Sequence, residues 1–257
     1  MAGEEKENLS GAELVNPYDS AAPKGKQVEQ MFDAIAPAYD FMNKAMTFGL
    51  CSWWRNRALD AATRRLQGVP QKVLDIATGT GDVAFELHRR WRSAYVTGLD
   101  LSEGMLKVAR QKLAAMDDSA RSLISFEQGD SLALPYADDS FDLITVAYGV
   151  RNFEHLDRGM EEMRRVLRPG GVLCVIELSC PRGGITRLGY NIYTRTLIPW
   201  SGRLVSGDSR AYTYLPESIA AAPQRDDMTS VMMSAGLRNA RWHSLTMGVV
   251  TYYIATK

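Results

Sequence analysis

The chain has 257 residues, 46% of them hydrophobic and 23% charged, and its 30 basic and 30 acidic side chains cancel to a formal net charge of zero. This is an ordinary globular composition, in a chain long enough to bury a substantial core. With a pI near 6.8 there is no field to draw in nucleic acid by phosphate neutralisation, so a small or neutral substrate is expected and a nucleic-acid partner is not.

Residues 1–23 are acidic and small at the start, carry no basic-then-apolar signal pattern, and are expected to form a flexible tail. In KGKQVEQMFDAIA (24–36), Val28, Met31, Phe32 and Ile35 recur at helical spacing, and Pro37 ends the helix. YDFMNKAMTFGL (39–50) reads as a second helix. Residues 52–66 read as a third, with Trp53, Trp54, Ala58 and Leu66 in its core face. Together, residues 24–70 form a helical cap in front of a core.

From residue 72 strands and helices alternate. Strands are expected at KVLDIA, at AYVTGLD (94–100), at LISFEQGD (123–130), at FDLITVAYG (141–149) and at VLCVIELS (172–179). Helices fall at 82–91, at 102–116 with Ser102 as N-cap, and at 156–167, where Pro169 and Gly170 stop the last. This rhythm predicts a mainly parallel sheet covered on both faces. Residues 181–220 break it as an inserted helical segment, aromatic and apolar over 185–205. A helix over 224–236 capped by Gly236 follows, then two strands, 240–246 and 249–256, whose short connection predicts an antiparallel hairpin at the sheet edge. The whole of 24–257 is read as a single domain.

Cys51, Cys174 and Cys180 lie far apart without C-x-x-C spacing, and His88, His155 and His243 are scattered. Free thiols in a reducing cytosol are therefore expected, and no metal site. No apolar run reaches the roughly 18 residues that cross a bilayer. The location expected is cytoplasmic, compatible with peripheral contact on the inner face of the cytoplasmic membrane.

The chemistry concentrates in VLDIATGTGDVAFEL (73–87). Gly79, Gly81 and Ala84 fit G-x-G-x-x-G/A, and Asp100 follows at the distance of a dinucleotide fingerprint. Asp75 in the strand and Asp82 opening the helix are poor company for a pyrophosphate. They suit a cation such as the sulfonium and amino group of S-adenosyl-L-methionine. Asp100, at a strand end, can accept from ribose hydroxyls, and Asp130 from an adenine amino group. The alternatives are a dinucleotide-dependent reductase and a non-catalytic module retaining the cofactor fold.

Four ordered stretches carry a resemblance: YDFMNKAMTFGLCSWW (39–54), GVRNF (149–153), RVLRPGGVLCVIELS (165–179) and YTYLPESI (212–219). With them the chain resembles the ubiquinone/menaquinone biosynthesis C-methyltransferases, from about residue 25 to its end. It departs from the family pattern at Thr47 (serine), Cys51 (histidine), Ala147 (serine) and Tyr253 (histidine). GKQVEQMFDAIAPAYDFMN and the C-terminal tail look most similar to the menaquinone-type enzymes of Bacteroidetes-like bacteria. The resemblance implies a class I S-adenosylmethionine-dependent methyltransferase, a Rossmann-like α/β fold with a mainly parallel seven-stranded sheet. It implies cofactor contacts at Gly79, Thr80, Gly81, Asp100, Leu101, Asp130, Ser131 and, through its backbone, Ala147. The expected reaction is C-methylation of demethylmenaquinol, with the benzoquinol of ubiquinone synthesis, or dual specificity, as the alternative. Arg151 is expected to stabilise a quinolate oxygen and Asn152 to orient it. Water or one of Tyr39, Tyr148 and Tyr253 would accept the proton. A lipophilic quinol calls for an apolar path through the cap or the inserted segment; homodimerisation is left open.

Overall fold

A computed structural model describes residues 11–18, 20–192 and 209–257 of the protein. Seven strands form one sheet: β1 (Lys72–Ile76), β2 (Tyr95–Asp100), β3 (Ile124–Gln128), β4 (Phe141–Ala147), β5 (Leu167–Leu178), β6 (Arg238–Leu245) and β7 (Val250–Thr256), in the order β3-β2-β1-β4-β5-β7-β6. The first five pair in parallel. β7 runs antiparallel between β5 and β6, so the predicted hairpin is present with β6 at the edge. The chain steps outward from β1 to β3, then returns to the other side of β1 as β4. The carboxyl ends of β1 and β4 thereby form the switch point where a crevice opens.

Period-two alternation divides the core. Val73, Val172, Cys174 and Ile176 face one layer with Trp54 and Leu59, while Leu74, Leu173 and Val175 face the other with Met160, Met163, Met228 and Met232. The first layer's helices are α3 (Leu50–Thr63), α4 (Asp82–Arg90) and α5 (Glu103–Ala114). Between α5 and β3 lies α6 (Asp118–Leu123), a turn of helix the periodicity did not show. The second layer holds α7 (Leu156–Val166) and α10 (Asp226–Ser234). Ser102 caps α5 by accepting from the Met105 amide, as expected.

In front of the sheet stand α1 (Lys24–Ile35) and α2 (Tyr39–Met46), joined by a 3-10 turn at Ala36–Ala38. The inserted segment holds two helices: α8 (Gly184–Ile192) and α9 (Ser209–Ala221). The part of that segment over 193–208 lies outside the described residues.

Three expectations are corrected. The tail does not stay loose to residue 23: Ala12 and Glu13 are buried against the rest of the molecule. Glu13 accepts from the Leu156 amide (2.6 Å), and Lys24 donates to the Ala12 carbonyl (2.6 Å). Trp53 is 46% exposed, because the α3 stripe that meets the core runs through Trp54, Ala58, Leu59 and Ala62 instead. Arg168-Pro169-Gly170-Gly171 lies inside β5 rather than ending α7. A register irregularity opposite this stretch accommodates a proline that has no N–H to give the ladder.

Candidate active site at the switch point

Two residues at the switch point, Ala77 and Tyr148, hold φ of +52° and +59°, a region costly for side chains other than glycine. They follow β1 and β4 directly. Between them Gly149 is required by close approach: a Cβ there would lie 2.5 Å from the Ala77 Cβ. The two strand ends are thus pressed together; one cavity opens in front of both, and a second beside Tyr148.

The first cavity has a volume of about 310 Å³ and is walled by Gly79, Asp100, Leu101, Asp130, Ser131 and Ala147, with Asn152 and residues of α1 closing it. Asp100 is its central polar group. One oxygen accepts from the Gly79 amide (2.7 Å) and the other from the Ser102 amide (2.9 Å). Burial holds this carboxyl above its ordinary range, against the pull of those amides. Asp130 folds into a turn by accepting from the Leu132 amide (2.9 Å).

The chemistry of the wall decides between ligands. Its charged residues are Glu29, Asp100, Asp130 and Glu154 against Lys26. The Gly79 amide is already committed to Asp100, and that of Gly81 to the Thr78 carbonyl (3.0 Å). A pyrophosphate needs free amides and tolerates few carboxylates. A ligand with a sulfonium and an ammonium fits this wall, and its ribose hydroxyls can meet Asp100.

Four residues expected at the ligand stand behind it, outside the cavity wall. Asp75 lies beneath the turn, 1% exposed, accepting from Thr78 Oγ1 and Thr145 Oγ1 (2.6 Å each). Burial raises its pKa to about 7. Gly81, at φ +86°, has the space for a Cβ taken by Phe126 and Phe85, 2.8 and 2.9 Å away. Thr80 donates to Asp40 (2.5 Å). Asp82 pairs with Arg55 and Lys112 (3.1 Å each), and Lys112 also reaches Asp40 (2.5 Å). Thr80, Asp40, Asp82, Arg55 and Lys112 thus meet one another and staple α2, α3 and α5 around the glycine turn.

The second cavity, about 110 Å³, is mostly apolar, with Asn43 and Thr47 among its polar residues. Met31, Ile35, Met42, Met46 and Leu215 line it, and Tyr39, Cys51, Tyr148, Arg151 and Tyr214 are its titratable residues. Arg151 is 7% exposed. Its Nη1 donates to Glu177 Oε1 (2.8 Å) and to the Tyr148 carbonyl, while its Nε is buried without a hydrogen-bond partner. Burial alone would lower the guanidinium pKa; Glu177 beside it raises it, so Arg151 stays charged. The Tyr148 hydroxyl is likewise buried and unpartnered. Phe32, Tyr39 and Tyr148 border both cavities and form the wall between them.

Asn152 does not face the second cavity. It borders the first, and its Oδ1 accepts from the Tyr214 hydroxyl (3.1 Å) across the divide. Tyr253 is no candidate base: it lies in β7, 1% exposed, accepting from the Arg225 amide (2.8 Å). Burial raises the pKa of Tyr39 and lifts Tyr148 well above its usual value, so neither is a phenolate at neutral pH. Sequence reasoning missed Glu177 and Tyr214, though both lie in stretches that carried the resemblance, ELS and YTYLPESI.

The family described as ubiE/COQ5 methyltransferase matches residues 20–257. A demethylmenaquinone methyltransferase of Porphyromonas gingivalis is 44% identical over 251 residues, spanning 97% of this chain and 100% of that protein. A ubiquinone/menaquinone biosynthesis C-methyltransferase of Geotalea daltonii is 39% identical over 236 residues, spanning 91% and 97%. A solved SAM-dependent methyltransferase of Thermotoga maritima, described as a possible histamine N-methyltransferase, shares the fold at a TM-score of 0.59 and 17% identity, over 89% of this chain and 99% of that one. With S-adenosylmethionine as its methyl donor, the chain belongs to the ubiE/COQ5 methyltransferase family.

Proposed function

We propose that this protein methylates a ring carbon of demethylmenaquinol, giving menaquinol. The observation that carries the reading is the pair of cavities sharing the Phe32–Tyr39–Tyr148 wall: a carboxylate-bearing one suited to a cationic donor, and an apolar one that holds a single guanidinium. Several relatives named demethylmenaquinone methyltransferase support the naphthoquinol, among them those of Porphyromonas gingivalis and Bacteroides fragilis. The Geotalea daltonii relative's name keeps the benzoquinol as the second reading.

The donor supplies an electrophilic methyl on a sulfonium. Everything else falls to the chain. A neutral hydroquinone carbon is a weak nucleophile, whereas the quinolate carries carbanion character at the adjacent carbon. Arg151 stabilises that quinolate with the charge of its guanidinium, in a cavity with neither carboxylate nor histidine on its described wall. With Tyr39 and Tyr148 held protonated, the proton leaves to water. Tyr39, Tyr148 and Phe32 align the ring with the methyl, and the apolar wall favours a step in which opposite charges vanish.

The lipophilic acceptor is met at a membrane surface. Phe41, Phe48, Leu50 and Trp53 are exposed on α2, α3 and the turn between them, with Arg57 over the Trp53 ring (5.9 Å). The same two helices supply Met42, Met46 and Cys51 to the acceptor cavity. Phe48→Ser with Trp53→Ser should reduce liposome flotation about tenfold. Flotation unchanged in that variant would remove this contact.

The reading is tested with purified protein, S-adenosylmethionine and a reduced isoprenyl naphthoquinone whose ring bears one unsubstituted carbon. The expected product carries its new methyl on that carbon by NMR. An O-methyl ether, or no product, overturns the proposal.

A further inference from the structure

Arg151 is charged, 7% exposed and set in an apolar cavity. An uncompensated buried cation costs several kcal/mol, and here a single carboxylate compensates it. Glu177, 2% exposed, sits near the carboxyl end of β5. Its Oε1 accepts from Arg151 Nη1 (2.8 Å) and from the Leu178 amide (2.8 Å), and its Oε2 from the Arg151 backbone amide (3.3 Å). Both carboxylate oxygens are thus used, one edge of the guanidinium is latched, and Nε is left without a partner.

We infer that Glu177 is a positioning residue that tunes the acceptor's reactivity: it aims Arg151 and cancels part of its charge, so that the quinolate forms but is not held too tightly to attack. This rests on the proposed quinol chemistry. Before the acceptor ionises, Arg151 and Glu177 sum to zero. On ionisation, the quinolate and the donor sulfonium form the one further pair, and methyl transfer consumes it. Without Glu177's charge, the cavity carries a net positive charge. The acceptor hydroxyl then ionises more readily, but its anion is a weaker nucleophile, because attack discharges the oxygen that Arg151 holds.

The other groups around that hydroxyl leave this logic intact. Tyr39, from α2, and Tyr148, after β4, are held protonated, and so is Tyr214, from α9, whose pKa burial raises to about 12. Cys51, from α3, stands beside Tyr148, and Lys24, from α1, contacts the Arg151 carbonyl (3.4 Å) rather than its guanidinium.

The test is the pH profile of the single-turnover rate constant with reduced naphthoquinone, in wild type, Glu177→Gln and Glu177→Asp. Glu177→Gln should move the acid limb down by about one pH unit and lower the plateau about fivefold, so that the two profiles cross and the variant is about twofold faster than wild type below the limb. Glu177→Asp draws the carboxylate back by one methylene and should move the limb the same way by about half as much. Donor affinity by calorimetry should stay within about twofold in both, since the donor cavity is untouched. Should the glutamine variant not fold, the aspartate variant carries the test alone. Limbs at the wild-type pH, with only the plateau lowered, would show a structural ion pair and overturn the inference. A wild type that yields no ring-methylated product overturns the quinol reading itself, a distinct outcome.

Discussion

The two cavities are built by different parts of the chain. The donor cavity is made chiefly of residues just beyond the strands β1 to β4, where backbone turns hold Asp100 and Asp130 in place. The acceptor cavity is made by helices packed in front of the sheet, and by Tyr214 from far along the sequence. One side is polar and set by strand ends; the other is apolar and set by tertiary packing. Because the two walls come from different elements, substitutions in one cavity should leave the other intact, with Phe32, Tyr39 and Tyr148 as the shared boundary.

The largest effect should come from the acceptor side. Arg151→Ala removes the one cation among the described residues of the second cavity and, on the proposed mechanism, should lower kcat about a thousandfold. Donor affinity by calorimetry should remain within about twofold. Loss of donor binding in that variant would join the two cavities into one energetic unit.

On the donor side, Asp100→Ala should do the reverse. On the proposed binding of the donor, losing the central carboxylate of the first cavity should raise the donor Kd about fiftyfold, with the acceptor KM little changed. An unaltered donor Kd would remove Asp100 from donor recognition.

Asp75 sharpens the comparison, because it belongs to neither cavity wall. Its folded pKa, about 7, lies above the unfolded value of 3.8. The native state therefore binds its proton more tightly, and the associated stability is present below pH 3.8 and lost as pH rises through 7. Asp75→Asn has no such loss. Its stability relative to wild type should rise with pH across that window, by up to about 4 kcal/mol, read from urea denaturation at several pH values. A constant difference would mean Asp75 titrates normally.

The smallest effect belongs to the N-terminal segment. Lys24→Met frees Ala12, and hydrogen exchange at the Leu156 amide, which Glu13 accepts, should quicken about tenfold while kcat changes less than about threefold. An exchange rate equal to wild type would show that Lys24 does not hold the segment down.

The strand order and the hairpin were legible because buried parallel strands read as short apolar runs, and because the turn at 77–82 carries its glycines in fixed spacing. Asp100, Leu101, Asp130, Ser131 and Ala147 line the first cavity for the same reason, since each ends a strand or lies within a few residues of a strand's carboxyl end. Asp75 and Asp82 were misplaced because spacing shows that a carboxylate is near a turn but not which way it faces. Thr78 and Thr145 claim the first; Arg55 and Lys112 claim the second. Glu177 and Tyr214 were invisible as site residues because their partners, Arg151 and Asn152, lie 26 and 62 residues away. Burial of Ala12 and Glu13 was hidden by the small, acidic composition of the N-terminal segment. Glu13, which reads as solvent-exposed, caps the start of α7 instead.

The measurement that tests the account most directly sets two acceptors side by side. Purified protein with S-adenosylmethionine is offered reduced isoprenyl naphthoquinone and reduced isoprenyl methoxy-benzoquinone of equal tail length, and kcat/KM is read for ring-carbon methylation. We predict a preference of about tenfold or more for the naphthoquinol, whose second ring buries further apolar surface in the acceptor cavity. Equal values, or a preference for the benzoquinol, would contradict the account.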